Sequence, residues 1–221
     1  LVGSEMCIRD SQLNEETVWG GSPYNNTNPK AKDALPRIRQ LIFEGKNKEA
    51  QELCGPTICS PSTNGMPYQT VGSLHLDFDG ISNYNDYYRD LDIAKAIATT
   101  RFTTNGVTYT REAYTSFPDQ VLVIRLTASQ KKSISFTAKY TTPYKSNVVR
   151  SISSRKELQL SGKANDHEGI EGKVEFTALT RIENNGGSLE ATSDSTLQVK
   201  NANSVTLYVS IGTNFVNYKD V

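Results

Sequence analysis

The sequence predicts a mainly β protein, an antiparallel β-sandwich that carries a small helical hairpin near its amino-terminus. Three observations support this fold class. After Tyr68, apolar and polar residues alternate with a period of two in segment after segment. Short turn sequences separate these segments, as antiparallel strands require. Helical spacing of apolar residues is clear only in residues 33–59. Consecutive strands joined by short turns favour two packed sheets.

The first helix is predicted to begin at Asp33, which can cap it, and to end at Gly45. Pro36 lies in the first turn, where its missing N–H group costs little. One apolar stripe at helical spacing consists of Leu35, Ile38, Leu41 and Ile42. The stripe indicates that the helix packs on a larger structure.

A second helix is predicted from Asn47 to the Gly55-Pro56 pair, and residues 55–67 are predicted to form a long loop. Cys54 and Cys59 allow two interpretations. They close a small disulfide loop if the compartment is oxidising, or they are two small buried side chains at a helix end. The second interpretation is favoured.

Four segments show the strand alternation most clearly: residues 73–78, 133–138, 173–178 and 205–211. Asn105-Gly106 is a strong hairpin signal, and residues 130–132 and 185–187 mark further turns. Roughly ten strands are predicted, which is near the number at which one sheet divides into two.

Bulk properties exclude several classes of function. The 221 residues carry a formal net charge of zero, which argues against nucleic acid or an anionic membrane as the main partner. No apolar run approaches the roughly 20 residues that a spanning helix needs. A composition rich in serine, threonine, asparagine and tyrosine favours a periplasmic or secreted protein. Residues 1–10 do not resemble a signal peptide.

No cofactor or metal site is predicted. His75 and His167 lie far apart, and neither has a second ligand at metal-binding spacing, so surface histidines are expected. An acidic cluster consists of Asp77, Asp79, Asp86, Asp90 and Asp92. Its order does not fit a calcium-binding loop, and a solvated strand end is predicted instead. The sequence contains no glycine-rich phosphate loop.

The tract LNEETVWGGSPYNNTNP is the densest in unusual residues, and it contains the only tryptophan, Trp19. An aromatic ring beside amides and a carboxylate can hold a sugar, with the apolar face of the sugar on the ring. A core tryptophan that anchors a loop explains the same pattern, and both interpretations stay open. The candidate substrate-binding residues are Asn14, Glu15, Thr17, Trp19 and Tyr24.

Several blocks in order carry a family resemblance. They are residues 12–53, the stretch YQTVGSLHLDF at 68–78, YRDLD at 88–92, residues 106–121 and TNFVNYKD at 213–220. Together they resemble the amino-terminal domain of family 95 glycoside hydrolases, the α-L-fucosidases. The resemblance covers the chain from about Gln12 to Val221.

The resemblance implies a β-sandwich that is not itself catalytic. In that family an inverting hydrolysis takes place in a later (α/α)₆ domain, so no catalytic residue is assigned here. The implied partners are that domain and, through the full-length enzyme, a fucosylated glycan. The Asn14–Tyr24 tract is expected to lie toward the catalytic pocket. A free-standing carbohydrate-binding module and a purely structural sandwich are the alternatives.

Residues 1–11 do not resemble the family. A glycine-rich stretch usually precedes the block at Gln12, and Leu1–Asp10 takes its place here. One reading of these ten residues in codons resembles a translated sequencing adapter. The expected organisation is therefore an artefactual segment over residues 1–11, followed by a truncated amino-terminal sandwich domain over residues 12–221.

Overall fold

A computed structural model describes residues 10–61, 65–78, 80–81, 83–144, 148–153 and 157–221. The helices are α1 (Ala31–Phe43) and α2 (Asn47–Thr57). The strands are β1 (Asp10–Leu13), β2 (Gly72–Phe78), β3 (Asn85–Asp92), β4 (Ile97–Thr104), β5 (Val107–Ser116), β6 (Val121–Ala128), β7 (Ile134–Thr141), β8 (Val148–Ile152), β9 (Leu158–Lys163), β10 (Glu175–Asn185), β11 (Ser188–Ser193), β12 (Thr196–Ala202) and β13 (Ser204–Thr213).

The strands form two sheets. One sheet has five strands in the order β1-β2-β7-β12-β11, and the other has eight in the order β3-β4-β5-β6-β13-β10-β9-β8. Neighbouring strands pair antiparallel in both sheets. The predicted antiparallel sandwich with a helical hairpin is confirmed. The described ranges contain thirteen strands rather than about ten, because short strands such as β8 and β11 have no fully buried side chain and lack a clear alternation.

One apolar core lies between the sheets. The five-stranded sheet contributes Leu74, Leu76 and Phe136, and the eight-stranded sheet contributes Phe176 and Leu207, all almost completely buried. Burial of each such side chain stabilises the fold by about 1.5–3 kcal/mol. The alternation predicted in all four segments therefore marks the inner face of the sandwich correctly.

The turns differ in what they connect. Asn105 and Gly106 have φ angles of 50° and 74° and join β4 to β5 in one sheet, as the hairpin prediction required. Residues 130–132 instead lead from β6 in the larger sheet to β7 in the smaller one, and residues 185–187 lead from β10 to β11 in the same way. Both segments are turns, as predicted, but they carry the chain between layers.

The helical hairpin begins and ends differently from the prediction. Helix α1 begins at Ala31, two residues before Asp33, and Asn28 Oδ1 accepts a hydrogen bond from the Lys30 N–H at 3.0 Å. Asp33 is thus a first-turn residue and not the cap. Gly45, with a φ angle of 74°, follows the end of α1 as predicted. Helix α2 continues through Gly55 and Pro56 to Thr57, and the Ile58 N–H still donates to the Cys54 carbonyl at 2.8 Å, so the Gly55-Pro56 pair does not end the helix as predicted.

The hairpin packs mainly on itself. Ile38, Leu41 and Ala50 form a small buried cluster that is separate from the sandwich core. Leu35 and Ile42, which belong to the predicted stripe, are exposed. The buried stripe is therefore narrower than the sequence pattern suggests.

The two cysteines do not pair. Cys54 and Cys59 are both free thiols, Cys54 is half-buried and Cys59 is exposed. The disulfide interpretation is therefore wrong, and the favoured interpretation as two buried residues is wrong for Cys59. Cys59 lies two residues after the end of α2.

The amino-terminal expectation falls largely on residues 1–9, which lie outside the described residues. Asp10 and Ser11 pair with β2 as part of β1, opposite His75 and Leu74. Ser11 is buried and its hydroxyl accepts a hydrogen bond from the Arg111 guanidinium. The boundary at residue 11 stays a prediction. Neither helix in the described ranges is long and apolar enough to cross a membrane.

Candidate functional site

The predicted tract leaves β1 as a loop along one edge of the sandwich. Its backbone is tied to the segment that precedes β2: the Gln69 N–H donates to the Val18 carbonyl at 3.0 Å, and the Gly20 N–H donates to the Pro67 carbonyl at 2.9 Å. Val18 is completely buried and anchors the loop in the core. The neighbouring Trp19 consequently points away from the core.

Trp19 presents its ring to solvent. The side chain is 39% exposed, and its indole N–H donates to the Glu16 carbonyl at 2.8 Å. The ring packs edge-to-face on Tyr68, with 5.2 Å between centroids, and Tyr68 is itself 46% exposed. Such a contact stabilises the pair by about 0.5–1.5 kcal/mol beyond the area that it buries. The interpretation of Trp19 as a core tryptophan is therefore wrong, and its role in sugar binding stays a prediction.

A fixed carboxylate lies beside this aromatic pair. Glu15 Oε2 accepts hydrogen bonds from the Thr17 backbone N–H at 2.7 Å and from the Thr17 hydroxyl at 2.5 Å. The Thr17 hydroxyl also contacts that of Thr213, at the end of β13, at 2.7 Å. The Tyr68 hydroxyl donates to the Glu15 carbonyl at 3.2 Å. Burial raises the pKa of Tyr68, and the negative charges of Glu15 and Glu16 raise it further.

The two remaining candidate residues, Asn14 and Tyr24, lie in the same loop tract. Asn14 and Tyr24 are half-buried, and each interacts with neighbouring groups. The structure brings Glu15, Thr17 and Trp19 into one framework with Tyr68 and Thr213. That framework combines a stacking surface with hydrogen-bonding groups.

Sequence reasoning missed the support beneath the loop. The Tyr144 hydroxyl donates to the Thr70 carbonyl at 2.6 Å, and Gln69 Oε1 accepts the Asn165 backbone N–H at 3.1 Å. A Cβ on Gly20 would lie 2.8 Å from Gln69 Nε2, so the glycine permits this close approach. These residues are far apart in sequence. Gly20 lies in the first family block and Gln69 and Thr70 lie in the second, whereas no sequence signal indicated Tyr144 or Asn165.

The Tyr144 hydroxyl, which supports the Trp19 loop, should lose its proton only at high pH. Burial raises the pKa of Tyr144 to about 12, whereas an unfolded tyrosine titrates near pH 10. The folded state therefore keeps this proton while the unfolded state releases it. We expect the free energy of unfolding to fall as the pH rises from about 10 toward 12. Urea unfolding followed by circular dichroism between pH 8 and 12 measures this fall.

Two variants separate this effect from general alkaline unfolding. Tyr144→Phe should remove part of the fall, and Tyr140→Phe should remove another part, because burial also raises the pKa of Tyr140. Tyr87→Phe, at a residue that is 44% exposed, should leave the pH profile unchanged. Identical profiles for Tyr144→Phe and the unmodified protein would contradict the assignment.

The described residues contain no group of three or more histidine, cysteine or acidic side chains placed to hold a metal ion. Within the predicted acidic cluster, Asp77 pairs with Lys139 at 2.7 Å and Asp92 pairs with Lys95 at 3.1 Å. Asp79 lies outside the described residues. His75 contacts the Thr141 hydroxyl at 2.7 Å on the outer face of the smaller sheet.

Residues 9–218 match the family described as the glycosyl hydrolase family 65 N-terminal domain. The chain belongs to this family. The match covers β1 to β13 without interruption, so both sheets and the Trp19 loop lie inside this family 65 N-terminal domain.

Relatives of this domain include α-fucosidases. The chain is 30% identical to alpha-L-fucosidase 2 of Arabidopsis thaliana over 92% of its length, which is 26% of that protein. It is 32% identical to a probable alpha-fucosidase A of Aspergillus niger over 53% of its length, or 15% of that protein. It is 25% identical to a probable alpha-fucosidase A of Aspergillus oryzae over 92% of its length, or 28% of that protein.

The chain thus spans about a quarter of the length of the curated relatives that it matches along most of its length. The matching family is numbered 65, whereas the sequence resemblance was to family 95. The relatives are α-fucosidases, as that resemblance implied. The resemblance to the amino-terminal sandwich of α-L-fucosidases is confirmed at the level of this domain.

Proposed function

We propose that this chain is the non-catalytic amino-terminal domain of a longer glycoside hydrolase that removes α-L-fucosyl groups from glycans. The observation that carries the proposal is the continuous family match over residues 9–218, together with α-fucosidase relatives that are several times longer than the chain. Hydrolysis takes place by inversion in a later (α/α)₆ domain, which supplies the catalytic carboxyl groups.

The Trp19 framework holds substrate at the boundary with that later domain. Its exposed indole ring offers a face to the C–H groups of a sugar, and Glu15 and Thr17 offer hydrogen-bonding atoms to the hydroxyls. Glycoside hydrolysis uses two carboxyl groups on either side of the bond, and in this framework Glu15 is engaged by Thr17. The framework therefore positions a sugar and leaves bond cleavage to the other domain.

The proposal includes a periplasmic or secreted location. It is supported by the polar composition of the chain and by the class of substrate, since fucosylated glycans are displayed outside cells. Fusion of the natural amino-terminus to a reporter enzyme that works only outside the cytoplasm tests this part separately.

The activity is tested with the longest open reading frame that contains these residues. The purified product should release fucose from 2′-fucosyllactose, and the 221-residue chain should release none. Failure of the long product, or release of fucose by the chain itself at an enzyme-like rate, would overturn the proposal. A natural stop codon directly after Val221 would favour a free-standing carbohydrate-binding module.

The role of Trp19 is tested in the same long product. Trp19→Ala should raise the KM for 2′-fucosyllactose about 5- to 10-fold and leave kcat nearly unchanged, because the ring contributes uniform binding of roughly 1 kcal/mol. The KM of Trp19→Phe should lie between that of Trp19→Ala and that of the unmodified protein. Phe117→Ala, at a residue that is 86% exposed, serves as the control and should change neither constant. Equal constants for Trp19→Ala and the control would indicate a purely structural sandwich.

A further inference from the structure

The outer face of the eight-stranded sheet carries a groove that the Trp19 framework does not include. Two adjoining cavities form it, one of about 530 Å³ over β5, β6, β13 and β10 and one of about 740 Å³ over β8, β9, β10 and β13. They share Leu179 and Ser210 as lining residues. Each volume lies in the range of small-molecule sites, roughly 300–1,000 Å³. We call this continuous depression the sheet groove.

The strand register explains why the sheet is hollow here. On β13, Tyr208 is followed on the same face by Ser210 and Gly212, since alternate residues of a strand share a face. A Cβ on Gly212 would have no heavy atom within 4 Å. Small residues on this central strand therefore lower the floor of the groove between larger side chains on the neighbouring strands.

Two tyrosines frame the floor at one end. Tyr114 and Tyr208 both lie opposite Val123 in the register, on either side of it, so their backbones are two strand spacings or about 10 Å apart. Val123 is only 6% exposed although it faces away from the sandwich core. The tyrosines therefore enclose an apolar floor that one extended ligand can span.

A fixed ion pair forms the adjoining wall. Arg181 lies opposite Tyr208, and its Nε and Nη2 atoms contact Glu157 Oε1 at 2.9 and 2.8 Å. The Glu157 side chain is 13% exposed, whereas that of Arg181 is 53% exposed. On the other side, Asp119 accepts a hydrogen bond from the Ser116 hydroxyl at 2.5 Å. Hydrogen-bonding groups thus stand in defined positions around an apolar floor.

We propose that the sheet groove binds an uncharged oligosaccharide chain. Sugar rings present apolar C–H faces that suit Tyr114 and Tyr208, and their hydroxyls suit Arg181, Glu157 and Asp119. The second cavity reaches the end of β13 at Gly212 and Thr213. The Trp19 framework contacts the same strand end through the Thr213 hydroxyl, on the opposite face from Gly212. The sheet groove and the Trp19 framework therefore both adjoin this end of β13. This inference rests on the proposed function for the class of substrate only.

The lining disfavours other classes of ligand. Four acidic residues line the groove, Asp119, Glu157, Glu175 and Glu183, against the two basic residues Arg181 and Lys163. That balance repels phosphate-bearing ligands such as nucleic acids. A stable protein interface needs about 800 Å² on each partner with an apolar centre. Among the aliphatic residues that line this face, Val149 is 63% exposed, whereas Val121, Val123 and Leu179 are buried or half-buried between charged residues.

The test uses the 221-residue chain labelled with ¹⁵N and two probes, lacto-N-fucopentaose I and its unfucosylated parent lacto-N-tetraose. Both should shift amide signals of β13 and β10 along the sheet groove, because the inner sugars are common to both probes. Only the fucosylated probe should also shift amides of the Trp19 loop. Absence of shifts in the groove with both probes at millimolar concentration would overturn the inference.

Variants confirm the location. Tyr114→Ala and Gly212→Met should each weaken binding at least tenfold, the first by removing a ring and the second by filling the floor. Tyr87→Ala is the matched control, since Tyr87 has an exposure of 44% like the 41% of Tyr114 but lies on β3. Unfolding curves confirm that each variant is folded. Unchanged affinity in both groove variants would overturn the inference. Protection of the β13 and β10 amides from hydrogen exchange in the longer protein without sugar would also overturn it, because another part of that protein would then cover the groove.

The two proposals fail separately. Groove binding of lacto-N-tetraose by a protein whose long form releases no fucose would support the sheet groove and contradict the proposed function. Fucose release by the long form, with amide shifts confined to the Trp19 loop, would support the proposed function and contradict the sheet groove.

Discussion

Replacing Phe136 with alanine is expected to lower the free energy of unfolding by about 3–5 kcal/mol. Phe136 is completely buried on β7, the middle strand of the smaller sheet, and its ring packs on Phe78 with 5.4 Å between centroids. The substitution removes the transfer free energy of the ring and leaves a cavity that close-packed neighbours cannot fill. Urea unfolding followed by circular dichroism measures the change.

Phe117→Ala is the matched control for this prediction. Phe117 lies in the turn between β5 and β6 and is 86% exposed, so its loss should change stability by less than about 0.5 kcal/mol. Phe136→Leu should fall between the two variants, because leucine fills part of the space. Similar midpoints for Phe136→Ala and Phe117→Ala would mean that the two sheets do not enclose a common core.

The position of Phe136 illustrates what the sequence predicts well. Its segment alternates apolar and polar residues, and that period alone places Ile134, Phe136 and Ala138 on one buried face. Burial of one face is a strong constraint, because a shift by one residue would expose the whole apolar set. The inner face of the four segments with clear alternation was therefore predictable without any knowledge of their partners.

The assignment of strands to sheets was not predictable in the same way. Two segments, residues 105–106 and 130–132, were both predicted as turns. The first joins two strands of one sheet, whereas the second joins strands of different sheets. A turn sequence determines only the local backbone path. Which layer the next strand enters depends on contacts between residues that are far apart in the chain.

The candidate site shows the same division between local and distant information. The hydrogen bonds between Glu15 and Thr17 span two residues, and the short spacing in the tract already places them together. The Tyr68 hydroxyl reaches Glu15 across 53 positions and Thr213 reaches Thr17 across 196. The exposure of Trp19 also follows from the burial of Val18 beside it, which composition does not reveal.

The sheet groove was hidden for a related reason. In the sequence, Tyr208, Ser210 and Gly212 are only the outward half of an alternating strand. Their meaning depends on the register that places Val123 and Arg181 on either side of Tyr208. Composition gives the residue types of such a surface, and only the pairing gives its shape.

Backbone approach at Gly187 gives the second large expected effect. Gly187 has a φ angle of 66°, and a Cβ there would lie 2.0 Å from the Lys200 carbonyl oxygen. Gly187 directly precedes Ser188, which pairs with Lys200 on β12, and β12 also shifts its register against β7 between Val199 and Ala202. Gly187→Ala should therefore lower the free energy of unfolding by about 2–5 kcal/mol, since left-handed strain and a backbone clash add together.

Gly106→Ala separates the two contributions. Gly106 has a similar φ angle of 74°, but a Cβ there would meet no heavy atom within 4 Å, so only the conformational strain of about 1–2 kcal/mol applies. Urea unfolding curves of the two variants give the difference between their stability losses. That difference measures how rigidly the β12 backbone is held beside the segment that leads from β10 to β11. A carbonyl oxygen cannot rotate aside as a flexible side chain does, so the clash must move two strands. Equal losses for both variants would show that this crossover yields freely, and its close approach to β12 would then contribute little to the stability of the sandwich.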